Sequence, residues 1–187
     1  MRIGRKGQRF FFVDFETGGL DPRTAALYEV GIVVTDEWFN VRETFAALIL
    51  DPDGPLAHVS NDEAPAYRVH GITEDERNAK GRPLAAVGSD LLVLAERHTS
   101  AQGSKPVLVS DCLQFEWQLM ARLIAPADIR EVFHFCGWDT SLLLEATGVD
   151  DPQPMAHRAL ADAGLVHRAV VRACERIGMF SRMERKP

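Results

Sequence analysis

The side chains with the most chemistry to offer fall in three separated segments. Asp14 and Glu16 end the apolar run Arg9-Phe10-Phe11-Phe12-Val13-Asp14-Phe15. On a strand, residues two apart share a face, so both carboxylates project together. Two like charges that close stay ionised mainly when a cation neutralises them, and hard cations such as Mg²⁺ or Mn²⁺ take oxygen ligands. By itself such a pair more often marks a solvated strand end. The second segment, Val109-Ser110-Asp111-Cys112-Leu113-Gln114-Phe115-Glu116-Trp117, puts two acidic residues where a strand runs into a helix, the usual place for site residues in an open α/β sheet. Asp111 has a plainer reading as a helix cap and Glu116 as an exposed first-turn residue. In the third segment, His157-Arg158-Ala159-Leu160-Ala161-Asp162, the His and the Asp face one site if His157 lies in the loop entering a helix. Pro152 and Pro154 favour such a loop. The alternative is a packed His and a solvated Asp.

The elements that must position these groups follow from apolar patterning. The Phe10–Phe15 stretch is apolar on both faces, as for a central strand covered on both sides. Gly18-Gly19-Leu20-Asp21-Pro22 reads as a turn. Two further strand-like runs, Tyr28 to Thr35 and Val41 to Leu50, predict an antiparallel meander. A Pro/Gly loop at Asp51-Pro52-Asp53-Gly54-Pro55 follows. Leu84, Val87, Leu91 and Leu94 recur at helical spacing. Pro106 to Ser110 reads as a buried strand, Phe115 to Ile124 as a helix ending near Pro126, and Val132 to Phe135 as another strand. Ser141 to Ala146 and Ala159 to Ile177 read as helices, the last with Val166, Ala169, Val170, Ala173 and Ile177 as its apolar stripe. Three antiparallel strands followed by alternating helices and strands predict an α/β fold with a mixed sheet flanked by helices.

The chain has 187 residues, 46% of them apolar and 26% charged, the composition of an ordinary soluble domain. No repeat or linker divides it, so a single domain over 1–187 is expected, with its core at about 9–178 and basic ends. No apolar run is long enough to span a membrane. The first residues lead straight into a strand without the apolar stretch of a signal peptide. The three cysteines suit neither a disulfide framework nor a zinc site. A reducing, cytoplasmic setting is the expectation. The net charge of −6 excludes a protein that coats nucleic acid through bulk positive potential. Residues 1–9 carry +4 and residues 165–187 carry +4, leaving −14 on the middle of the chain. That surplus is either a solvated surface or a carboxylate cluster awaiting cations. Trp38, Trp117 and Trp138 read as core or semi-buried packing, with Trp117 near a substrate groove. Asp139 before Thr140 reads as a helix cap.

Taken in order, the three segments resemble the motifs of the DEDDh group of DnaQ-like 3′–5′ exonucleases on the RNase H-like fold, from about Phe10 to Cys174. Asp14-Phe15-Glu16-Thr17-Gly18-Gly19 is similar to that family's first motif, and His157-Arg158-Ala159-Leu160-Ala161-Asp162-Ala163 to its third, His-x-Ala-x-x-Asp. The resemblance implies two Mg²⁺ or Mn²⁺ ions about 4 Å apart, held by Asp14, Glu16, Glu116 and Asp162, with His157 as general base, an imidazole's ordinary pKa of about 6.5 suiting neutral pH. It also implies that Thr17, Gly18, Gly19 and His70, the last within Val69-His70-Gly71-Ile72-Thr73, line the pocket for the terminal nucleotide. The partners implied are single-stranded or frayed 3′ ends of DNA or RNA and a polymerase or other replication or repair protein. The second motif departs from the family. Its usual Asn-x-x-Phe-Asp is Cys112-Leu113-Gln114-Phe115-Glu116 here, so either Glu116 or the neighbouring Asp111 completes the acidic set. Octahedral Mg²⁺ is strict about geometry, and a longer carboxylate suits Mn²⁺ better. Two other readings stay open. A weakly active or inactive relative would bind nucleic-acid ends or a polymerase without turnover, and an unrelated α/β domain would bind no divalent metal.

Overall fold

The computed structural model describes residues 6–51, 65–149 and 156–179. In chain order its elements are β1 (Phe10–Thr17), β2 (Leu27–Thr35), β3 (Val41–Leu50), α1 (Pro65–His70), α2 (Glu74–Lys80), β4 (Arg82–Pro83), α3 (Leu84–Arg97), β5 (Val107–Ser110), α4 (Leu113–Leu123), α5 (Pro126–Val132), β6 (Trp138–Asp139), α6 (Ser141–Thr147) and α7 (Ala159–Arg176). The sheet order is β4-β3-β2-β1-β5-β6. β1, β2 and β3 form the expected antiparallel meander, while β5 runs parallel to β1 and β6 parallel to β5. The result is a mixed sheet with helices on both faces.

Strand parity divides the core in two. Phe11, Val13 and Phe15 of β1 face Val30, Ile32 and Val34 of β2 and pack under α3, α4 and α5. The alternate residues Phe10 and Phe12, with Val33, Val107 and Val109, pack under α7 through Ala163, Val166, Val170 and Cys174. Because β1 is central, both of its faces are buried, which explains its unbroken apolar run. Asp14 and Glu16 lie on the α7 side, at the end of β1 where the parallel strands have their C-termini.

Three expectations need correction. Val132 to Phe135 is not a strand. Pro126 starts α5 rather than merely ending α4, since the first helical position needs no N–H donor, and Val132 closes that helix. The strand that pairs with β5 lies further on, at Trp138–Asp139. Ile177 falls beyond the last turn of α7 and is 54% exposed. Trp38 sits in the β2–β3 turn and is exposed, while its neighbour Phe39, at a positive φ of 61°, turns into the core instead. Trp117 and Trp138 are half-buried as expected. The Pro52–Pro55 part of the expected loop, Pro152, Pro154 and much of both basic ends lie outside the described residues. Among the described residues, no helix is long and apolar enough to cross a membrane.

Candidate active site

Glu16, His157 and Asp162 each bring a ligand atom into one group, all within 4.8 Å of one another. Three elements achieve this. β1 presents Glu16 on its α7 face, the loop entering α7 carries His157, and the first turn of α7 carries Asp162. The entering loop is the one anticipated for His157. Its backbone takes a positive φ of 50°, a conformation that non-glycine residues adopt sparingly. The Ala156 N–H donates to Asp162 Oδ1 at 2.9 Å, closing the loop over the helix start. Asp162 Oδ1 therefore caps the segment that carries the histidine.

Asp14 and Glu116 stand beside this group. Burial pushes the Asp14 carboxyl well above the usual range, and Glu16, Asp162, Asp111 and Glu29 add to the shift. Glu116 is likewise raised by burial, then by Asp14, Asp111, Cys112 and Glu16. Burial and the charges of Asp162 and Glu29 push Glu16 up to about 7. Burial also raises Asp162, against the lowering effect of the Ala156 N–H and of His157. These mutual shifts identify one concentrated field of negative charge. Glu116 is 4% exposed, and its Oε2 has no hydrogen-bond partner among the described residues. A buried carboxylate oxygen without a donor is costly. Hard-oxygen donors, one of them unsatisfied, are what Mg²⁺ or Mn²⁺ requires, so the residues present fit such cations. Asp111 is half-buried and faces the same field as Asp14 and Glu116.

A cavity of about 650 Å³ opens next to Glu16, lined by Phe15, Thr17, Gly18, Gly19, Leu20, Val69, His70 and Phe115. The turn that forms one wall is shaped by local bonds. The Thr17 hydroxyl donates to the Gly19 carbonyl at 2.7 Å, and the Gly18 N–H to the Ala26 carbonyl at 2.8 Å. Arg122 of α4 supports the same turn through the carbonyls of Pro22 and Ala25 while pairing with Asp51 at 2.7 Å. His70 is buried, and its Nδ1 accepts the Ile72 N–H at 3.0 Å. Burial holds its pKa down to about 4, so at neutral pH its ring is uncharged with the proton on Nε2. Asp139 does cap, and at two helices. It accepts the Leu113 N–H at the start of α4 and the Ser141 N–H and hydroxyl at the start of α6.

Sequence reasoning missed Phe15, Leu20 and Phe115 as cavity walls. It also missed Glu29 and Gly31, which face α7 from β2 opposite Glu16 and Asp14. A Cβ on Gly31 would collide with the backbone of Ala159 and Leu160. The missing side chain therefore lets the first turn of α7 lie against the sheet. The available signal was a charged residue and a glycine inside an otherwise apolar strand.

No family model matches the chain. An oligoribonuclease of Vibrio parahaemolyticus is 27% identical over 141 residues, 75% of each chain. A probable oligoribonuclease of Dictyostelium discoideum is 31% identical over 98 residues, 52% of this chain and 51% of its own. Among solved structures, E. coli exonuclease I in complex with a dT13 oligonucleotide superposes with a TM-score of 0.68 at 19% identity, over 94% of this chain. The apo form of exonuclease I gives 0.65 at 18% identity, over 90% of this chain. This chain spans 43% and 42% of those two structures' own length, and the likeness establishes the RNase H-like fold. With two oligoribonuclease relatives, that fold and the three motif-like segments in their order, the chain is similar to the DnaQ-like 3′–5′ exonucleases.

Proposed function

We propose that this chain is a metal-dependent exonuclease domain that hydrolyses phosphodiester bonds from the 3′ end of single-stranded or frayed nucleic acid, short RNA strands included. The observation that carries this reading is the convergence of Glu16, His157 and Asp162 beside a cavity at the C-terminal end of β1. Asp14, Glu16, Glu116 and Asp162 would hold two divalent cations, which when bound supply charge neutralisation, activation of water and stabilisation of the leaving 3′ oxygen. His157 takes the proton of the attacking water as its oxygen bonds to phosphorus and the bond to the 3′ oxygen breaks. The cavity takes the terminal nucleotide. Phe15, Leu20, Val69 and Phe115 offer apolar surface to an unpaired base, and the His70 ring lines the same wall. An acidic protein that grips an end in this way needs no basic groove. The names of the relatives support both sugars, oligoribonuclease for RNA and the dT13 complex for DNA. Three free thiols, two of them exposed, accord with a reducing cytoplasm.

A second reading, end-binding with little turnover, rests on Cys112 and Glu116 standing at the family's Asn and Asp positions. The deciding experiment uses 5′-labelled RNA and DNA single strands with Mg²⁺ or Mn²⁺, beside EDTA and Asp162→Ala. A ladder shortening from the 3′ end, lost in both controls, is the expected result. Binding without a ladder in either metal would establish the second reading.

A further inference from the structure

Resting on the exonuclease reading, we infer that Glu29 and Arg158 form a latch that sets the position of His157, making both of them positioning residues. Glu29 is buried in β2, directly across from Glu16. Its carboxylate takes two bonds from the Arg158 guanidinium, from Nε at 3.1 Å and from the other nitrogen at 2.8 Å. It also accepts the Ala159 N–H at 2.9 Å, satisfying a first-turn donor of α7 that no neighbour within the helix can reach. No side chain from the α7 segment itself caps that position. Arg158 reaches a second carboxylate, Glu76 of α2, at 3.6 Å.

The two sides of His157 are therefore tied to different partners. Ala156 is bonded to Asp162, and Arg158 and Ala159 are bonded to Glu29. His157 between them holds the positive φ that a histidine would otherwise leave readily. A planar guanidinium clamped at two points fixes direction as well as distance, so the pair sets the angle at which the chain enters α7. Glu29 does this from the strand that flanks β1, which ties the base to the same sheet that carries Asp14 and Glu16. The bonds to Glu29 act on His157 through the backbone, and neither residue of the latch belongs to the cation-binding set.

The test compares Glu29→Gln, Arg158→Met and Arg158→Lys with the unaltered protein. Glu29→Gln keeps the shape of the side chain, so folding is preserved while the charged pair is lost. The expected result is a kcat lower by about 10–100-fold with KM changed by less than about threefold, the range seen when an orienting partner is removed. Arg158→Lys should recover part of what Arg158→Met loses. In the cation-free protein, amide exchange at Ala156 and Ala159 should quicken at least about tenfold in Arg158→Met, with β1 and β2 amides unchanged. A kcat within about twofold of the unaltered protein for Glu29→Gln would overturn the latch, as would exchange that quickens equally throughout the sheet. An inactive unaltered protein would overturn the exonuclease reading instead, and the exchange data alone would then decide whether the latch exists.

Discussion

Phe10 and Phe12 share one face of β1 with Asp14 and Glu16, and α7 covers all four, yet the two halves of that face do opposite work. At the apolar half, Phe10 and Phe12 are fully buried against Val166, Val170 and Cys174 and against Phe39. Burying such side chains stabilises the fold by about 1.5–3 kcal/mol each. At the acidic half, burial raises Asp14, Glu16 and Asp162 above their ordinary ranges, and neighbouring carboxylates add to the shift of Asp14 and Glu16, so without cations these groups oppose folding. The apolar half anchors α7 so that the acidic half can be held in an unfavourable arrangement. Stability and the proposed chemistry occupy one strand face, separated by two residues.

The contrast can be broken most severely at the acidic half. Asp14→Asn or Asp162→Asn should lower hydrolysis by about a thousandfold or more, because metal ligands act as a unit, while the fold persists and the cation-free protein melts no lower. Wild-type turnover in either variant, read from a 3′-end ladder, would remove that residue from the site. His157→Ala should cost about 10²–10⁴ in turnover and leave Mn²⁺ affinity by calorimetry nearly unchanged. A large loss of Mn²⁺ affinity would show His157 to be a ligand and not the base. At the apolar half, Phe12→Ala should cost about 3–5 kcal/mol in denaturant unfolding. Activity per folded molecule should then change far less than stability does.

The smallest effect sharpens the comparison through pH. Carboxyls whose folded pKa is raised contribute stability that is present at about pH 4 and lost as pH climbs through the folded value, about 7 for Glu16. His70 and His167, lowered by burial, pull the other way over part of that range. A difference between variants cancels them. In cation-free protein, Glu116→Gln should gain on the unaltered chain by a few degrees in Tm as pH rises from 5 to 8. Saturating Mn²⁺ should reverse the order, since it stabilises only a site that binds it. A difference in Tm that stays flat with pH would mean that Glu116 carries no charge penalty.

Much of this molecule is legible in the chain itself. The apolar run of β1, the meander and the helical spacing of α3 and α7 follow from local patterning, because strand and helix periods are written in neighbouring residues. The pairing of Asp14 with Glu16 and of His157 with Asp162 is legible for the same reason. Each pair lies on one element or at one junction, where spacing alone sets relative direction. What the chain does not show is which of its isolated features serve the site. Glu29 and Gly31 are 130 and 128 positions from the helix start they shape, and nothing local distinguishes a capping glutamate from an exposed one. Val132 to Phe135 carries a strand-like apolar pattern and Trp138–Asp139 does not, yet the parallel pairing with β5 makes the second the strand. Sequence determined β1, β2, β3 and β5, the main helices and the types of group available for chemistry, through interactions between residues close in the chain. Tertiary structure decided the burial of Glu116, the walls of the cavity and the Glu29–Arg158 clamp, because burial and long-range ion pairing exist only once the sheet and α7 are brought together.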